Sequence, residues 1–230
     1  MISLAGDEKV NIFILLRLMI TFEALDFLVT LRLLKGNDSM ARNKEFDENE
    51  VLRKAMELFW IQGYEKTSMQ DLVKYMGIHR RSLYDTFGDK HTLFIKALDH
   101  YNEIIRTRIE NEVAQQNSIK DAIRQLFEMI IVRDKTQPVG CLTVNTAVEL
   151  SLHDEQAAEK VMESFSKTEL LLNNLVVIGQ KSGEISIHLD AKKTSEFLHN
   201  SLVGLRVMTK TTDDIEKLNN IIDITLSVLD

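Results

Sequence analysis

Residues 63–87 read GYEKTSMQDLVKYMGIHRRSLYDTF, and this stretch decides the fold. Ser68 followed three residues later by Asp71 is a helix-start pattern, because the Ser68 hydroxyl can satisfy an otherwise unpaired backbone N–H in the first turn. Leu72, Val73 and Met76 then fall on one side of a short helix. Gly77 permits a sharp turn, and Ile78 plugs the angle it makes. A third short helix is predicted over about 79–86, with Leu83 and Tyr84 turned inward and Phe87 just past its end. Two short helices, a tight glycine-containing turn and apolar residues facing each other across it describe a helix-turn-helix.

Working outward, the chain stays helical on both sides. Asp47 and Glu50 form a capping-box-like start, and Val51, Leu52, Ala55, Leu58 and Phe59 recur as one apolar face. Gly63 is expected to close that helix as a left-handed cap. Downstream, Leu93, Phe94, Ala97, Leu98, Tyr101, Ile104 and Ile105 mark a long fourth helix. Ile119 to Ile131 carries another, and a loop through Pro138 and Gly140 precedes a helix opening within 140–150. A long helix near 155–181 ends at Ser182 and Gly183, and two more follow near 191–209 and 213–229. A single proline and nine glycines in 230 residues fit long helices rather than turn-rich strands. The expected fold is all-α. Its divisions are a three-helix helix-turn-helix domain over 40–88 and a second helical domain over 89–230.

Composition bounds the function without naming it. Apolar residues make up 44% and charged residues 27%, ordinary for a globular chain with a real core. The lone Cys141 cannot form an internal disulfide, which fits a reducing cytoplasm. The net charge of −7 does not suggest a polyanion as partner. Residues 40–100 are balanced, with ten basic and ten acidic side chains, whereas 101–230 hold fourteen basic against twenty acidic. A neutral segment can still bind phosphates when its cations share a face.

Residues 1–39 are the awkward part. Val10 to Leu34 is rich in Ile, Leu and Phe, but Arg17, Glu23, Asp26 and Arg32 interrupt it, so no uncharged run reaches the ~18 residues a span requires. Acidic residues open the segment, and no small-residue cleavage pattern follows. Three readings stay open: an upstream extension preceding a start at Met40, a membrane-associating helix, or an extra packed helix. The first is preferred, and no membrane partner is expected.

In a helix-turn-helix the third helix lies in the DNA major groove with its N-terminal residues at base edges. Here those are His79, Arg80, Arg81 and Ser82. Arginine suits the task because its planar fork can bond both O6 and N7 of guanine. Ser68 sits at a helix N-terminus, where N–H groups and a partial positive charge favour a phosphate. Lys90, opening the fourth helix, is placed to reach another. The series Gly63-Tyr64, Thr67 to Leu72, Met76 to Tyr84, Phe87 to Lys90 and Leu93-Phe94 resembles the DNA-binding domain of the TetR/AcrR family over about fifty consecutive residues. The resemblance implies phosphate contacts at Thr67, Ser68, Tyr84 and Lys90. It places His79, Arg80, Arg81 and Asp85 facing the groove. Arg81 stands where relatives often carry a small residue. Other readings stay open: Tyr84 as core, His79 as a solvated residue, and Arg81 with Asp85 as an i, i+4 pair.

The resemblance also implies a homodimer binding palindromic double-stranded operator DNA and answering a small-molecule effector, most simply as a repressor. The apolar stripes Phe197, Leu198, Leu202, Leu205, Met208 and Ile215, Leu218, Ile222, Leu226, Leu229 are read as the dimer interface, against the alternative that they serve only the subunit's own core. Phe127, Met129, Met162, Phe165 and Leu170 are candidates to line an effector pocket, against ordinary core. Cys141 is read as inert rather than redox-sensing. His153 beside Asp154 makes no metal site, and no cofactor is expected. A Gly-rich phosphate loop and a nucleophile motif are both missing, which argues against an enzyme. An architectural DNA-binding protein without an effector is the remaining rival.

Overall fold

The computed structural model describes residues 46–132 and 137–230; the readings made for 1–39 lie outside the described residues. Within these, the regular elements are helices in the order α1 (Glu48–Gln62), α2 (Met69–Met76), α3 (Arg80–Phe87), α4 (Lys90–Ala114), α5 (Ile119–Ile131), α6 (Leu142–Glu149), α7 (Glu155–Ser182), α8 (Ala191–Met208) and α9 (Ile215–Leu226). A short 3-10 turn, Ser227–Leu229, follows α9. The all-α expectation holds. No helix among the described residues is long and apolar enough to cross a membrane.

Helix starts are set by local side chains. Asp47, Ser68, Asp89, Ser118, Asp154, Asp190 and Asp214 each accept a backbone N–H from the first turn of the helix they precede. At Ser68 the exchange is reciprocal. Its Oγ accepts from the Asp71 N–H at 3.1 Å, and the Asp71 carboxylate accepts from the Ser68 N–H at 3.0 Å. At Asp47 only half of the expected box forms, since Glu50 pairs with Lys54 at 3.1 Å. Gly77 adopts φ 74°, ψ 29°, the left-handed turn that a Cβ disfavours. Gly63 has positive φ but ψ 171°, so it is not the left-handed cap expected; the chain leaves α1 extended.

The helix-turn-helix buries one continuous cluster. Phe59 packs edge-on against Phe94 at 5.0 Å between ring centroids, and Leu72, Met76 and Leu83 are fully enclosed with them. This cluster continues through Tyr101 and Leu98 of α4 into Leu142 of α6 and Ala157 of α7. A second buried layer, with Phe127, Leu172, Leu202 and Ile222, joins α5, α7, α8 and α9.

Polar bridges tie the two layers to the head. The Glu149 carboxylate, at the end of α6, accepts the Tyr64 N–H at 3.0 Å and the Glu65 N–H at 2.9 Å. Gly63 makes this approach possible, because a Cβ there would lie 2.9 Å from a Glu149 oxygen. Nearby, His91 Nε2 lies 2.7 Å from the Asp154 carboxylate. Burial pushes the Asp154 carboxyl up, but the Ala157 N–H and the His91 ring together hold it below the usual range.

Candidate functional site

Helix α3 turns Leu83 and Phe87 into the core and leaves His79, Arg80, Arg81, Tyr84 and Asp85 exposed, with Ser82 half-buried. His79 is the residue before the first turn, and its side chain makes no cap hydrogen bond. Arg80 reaches toward Tyr84, with its guanidinium carbon 5.7 Å from the ring centroid and a long 3.5 Å contact to the hydroxyl. Arg81 lies 3.6 Å from Asp85, both strongly exposed, so the pair contributes little to stability and leaves Arg81 free to exchange partners. Tyr84 is 41% exposed, which corrects the placement of its ring in the core and leaves its hydroxyl on the surface. With Leu83 and Phe87 one turn apart on the buried side, Tyr84, next after Leu83, is rotated away from that face.

Beside this helix, Lys90 opens α4 with its Nζ 4.1 Å from the centre of the Tyr64 ring. Tyr64 itself is wedged against Phe94 at 4.9 Å and stacks loosely with Phe59 at 6.2 Å. The ring positions the ammonium at a helix N-terminus, where the backbone dipole adds to its attraction for a phosphate. Ser68 is exposed at the start of α2. Thr67 is not available. It is fully buried, and its hydroxyl donates to the Gly63 carbonyl at 2.6 Å, so its expected phosphate contact through the side chain is corrected.

The expected dimer residues divide sharply. Leu198, Leu202, Leu205, Leu218 and Ile222 are buried inside the subunit, as are Leu226 and Leu229, so they cannot offer a surface to a second copy. Phe197 and Ile215 are exposed, together with Val207 and Ile224, which sequence reading passed over. Gly204 lies on the same outer side of α8, with open space where a side chain would be.

The pocket expectation is also corrected. Phe127 is buried in the core, Met162 and Leu170 are on the surface, and Phe165 packs against His199 at 5.1 Å. A cavity of about 340 Å³ lies elsewhere, between α1, α4, α5, the loop before α6 and the end of α8. Met129 lines it as expected; Trp60, Tyr101, Arg108, Cys141 and Arg206 do so as well. Cys141 is buried. Burial is the main cause holding the Tyr101 hydroxyl well above its ordinary value, with the Cys141 thiol adding to it, so the hydroxyl stays protonated.

Comparison with known proteins agrees with this geometry. Residues 51–97 match the bacterial regulatory proteins, tetR family, and residues 119–224 match a tetracyclin repressor-like C-terminal domain. The uncharacterized HTH-type transcriptional regulator YezE of Bacillus subtilis strain 168 is 34% identical over 194 residues, covering 83% of this chain and all of that protein. The HTH-type transcriptional repressor ComR of Escherichia coli K12 is 32% identical over 191 residues, covering 82% of this chain and 91% of ComR. Among solved structures, a cysteine mutant of the TetR family regulator CifR, complexed with a 26-bp operator duplex, superposes with a TM-score of 0.75. It is 25% identical and covers 83% of this chain and all of that one. The chain belongs to the TetR family of helix-turn-helix transcriptional regulators.

Proposed function

We propose that this regulator is a repressor that binds a palindromic operator as a homodimer and releases it when a small molecule occupies the cavity. The observation that carries the reading is α3, whose first turns present two arginines and a histidine, free of the core, at the end that a groove-lying helix offers to base edges. CifR is solved on operator DNA and ComR is named a repressor, which supports both the partner and the sign. Ser68, Tyr84 and Lys90 serve as phosphate contacts; His79, Arg80, Arg81, Ser82 and Asp85 face the groove. Residues 40–88 form the DNA-binding unit, and 89–230 the effector and dimer unit. The protein acts by binding alone, in the cytoplasm, without catalysis.

The dimer forms through the outer face of α8 and α9, where Phe197, Gly204, Val207 and Ile224 are exposed. A two-fold pair sets the recognition helices about one DNA turn apart, roughly 34–36 Å. Selection of random duplex DNA by the purified full chain tests this. An enriched inverted repeat with half-sites one turn apart is expected. Uniform, salt-sensitive binding with no enriched sequence overturns it in favour of an architectural role.

A further inference from the structure

We infer that the cavity beside α1 takes a small apolar molecule bearing a carboxylate, and that this molecule rests directly on Trp60 of the DNA-binding head. The inference names the chemistry of the effector and so rests on the proposed effector response, but its test reads binding apart from DNA release.

The charge of the cavity points one way. Arg108 on α4 and Arg206 on α8 both line it, and among the described residues neither makes an ion pair. Among the described residues no carboxylate lines it to offset them. Two guanidiniums on one cavity offset much of the desolvation that an anion suffers on entering it. A guanidinium fork matches the two oxygens of a carboxylate.

A second, independent observation lies at the α1 side. Trp60 is 8% exposed, and its indole N–H has no hydrogen-bond partner. A buried donor left unpaired costs about 1–3 kcal/mol, and a ligand oxygen recovers it. Between the polar groups Ile105, Met129 and Ile130 form an apolar stretch of wall that suits a hydrocarbon part of the ligand. The volume of about 340 Å³ sits at the small end of the range for ligand sites, about 300–1,000 Å³. That favours a medium-chain or aryl-alkyl acid over a bulky one.

The position of Trp60 gives such a ligand a short route to the DNA-binding surface. Trp60 lies in α1, three residues before Gly63, and the N–H groups of Tyr64 and Glu65 that follow are gripped by Glu149. Cys141, another wall residue, is the cap of α6, and Glu149 is the last residue of that helix. Two walls of the cavity therefore converge on the same loop of the helix-turn-helix. Tyr64 in that loop carries the Lys90 ammonium on its face.

Trp60 is the only tryptophan in the chain, so tryptophan emission, excited selectively over the four tyrosines, reports on this site alone. The full-length protein is titrated with decanoate and phenylbutyrate and with the matching alcohols, decanol and phenylbutanol. A saturable change in emission is expected for an acid, with its alcohol weaker by roughly tenfold or more, about 1.4 kcal/mol. Arg206→Gln and Arg108→Gln should each weaken the acid by a similar factor. Both residues are partly exposed, and unchanged melting temperatures show that the variants fold. Met129→Trp, which fills the cavity, is read by displacement of a fluorescent fatty acid and should abolish acid binding. Equal affinity for acid and alcohol, no response to either acid, or arginine variants that bind as before would each overturn the carboxylate assignment. An acid that binds at Trp60 while operator affinity stays constant supports the assignment and removes the effector response instead.

Discussion

Helix α3 and helix α8 use their surfaces in different ways. On α3 the buried residues Leu83 and Phe87 occupy one side and, Tyr84 apart, the rest are polar, so burial of one face fixes which residues meet a partner. On α8 apolar residues lie on two sides: Leu198, Leu202 and Leu205 face inward, while Phe197 and Val207 face out. A 3.6-residue period then shows that stripes exist without showing which one the subunit keeps. The lesson is that one apolar face orients a helix, whereas two leave the choice to the neighbours packed against it.

Adjacent residues on α8 give the sharpest way to break this comparison. Leu198 is 0% exposed, and Leu198→Ala should lower the stability of the subunit by about 2–5 kcal/mol, measured by denaturant unfolding. Phe197, one residue earlier, is 46% exposed. Phe197→Glu should leave subunit stability within about 0.5 kcal/mol and shift sedimentation toward monomer. If Phe197→Glu stays dimeric with wild-type affinity, the outer stripe is ordinary surface and the interface lies elsewhere.

The next largest effect joins the two regions. Glu149→Ala removes the acceptor of two backbone N–H groups in the loop that leads into α2, and should cost about 1–3 kcal/mol of stability. Hydrogen exchange at Tyr64 and Glu65 should accelerate, while amides at the centre of α8 change only as far as global stability does. Unchanged protection at those two amides would show that the Glu149 clamp is not what holds the loop.

On α3 the expected effect is on recognition rather than folding. Arg80→Ala should cost about 1–3 kcal/mol of operator affinity and relax preference at one base pair, read by repeating the duplex selection. Its side chain is exposed and makes only a long contact to Tyr84 among the described residues, so melting should barely move. A retained base preference would assign Arg80 to the backbone instead.

How much of this was legible followed from distance along the chain. The helix-turn-helix rests on contacts within some forty residues, and caps, a turn glycine and apolar spacing record it directly. Tyr84 was misplaced although the Leu83–Phe87 spacing already assigned the inward face, because an aromatic ring was counted as core on chemistry alone. Thr67 was misassigned because its hydroxyl is taken by the Gly63 carbonyl, a contact made by the path of the intervening loop, which the sequence does not display. The cavity draws Trp60, Tyr101, Arg108 and Arg206 from segments far apart, and no period connects them. Glu149 did leave a signal. A carboxylate in the last turn of a helix runs against the helix dipole, which marks it as a residue with a partner to find.

Lys90 yields the smallest effect and the finest distinction. Its ammonium sits over the Tyr64 ring and also opens α4, so it has a partner within the fold besides its proposed role as a phosphate contact. Losing the cation–π contact costs about 0.5–1 kcal/mol at an exposed site, and this loss is present with or without DNA. Losing a phosphate contact appears only in the complex. It makes the slope of log K against log salt shallower by about one unit and weakens all sequences alike. Lys90→Ala should therefore lower the melting temperature slightly and flatten the salt dependence, with base preference retained. A lower melting temperature at an unchanged salt slope would reduce Lys90 to a buttress of Tyr64, and the positive end of α4 would then meet the phosphate through backbone N–H groups alone.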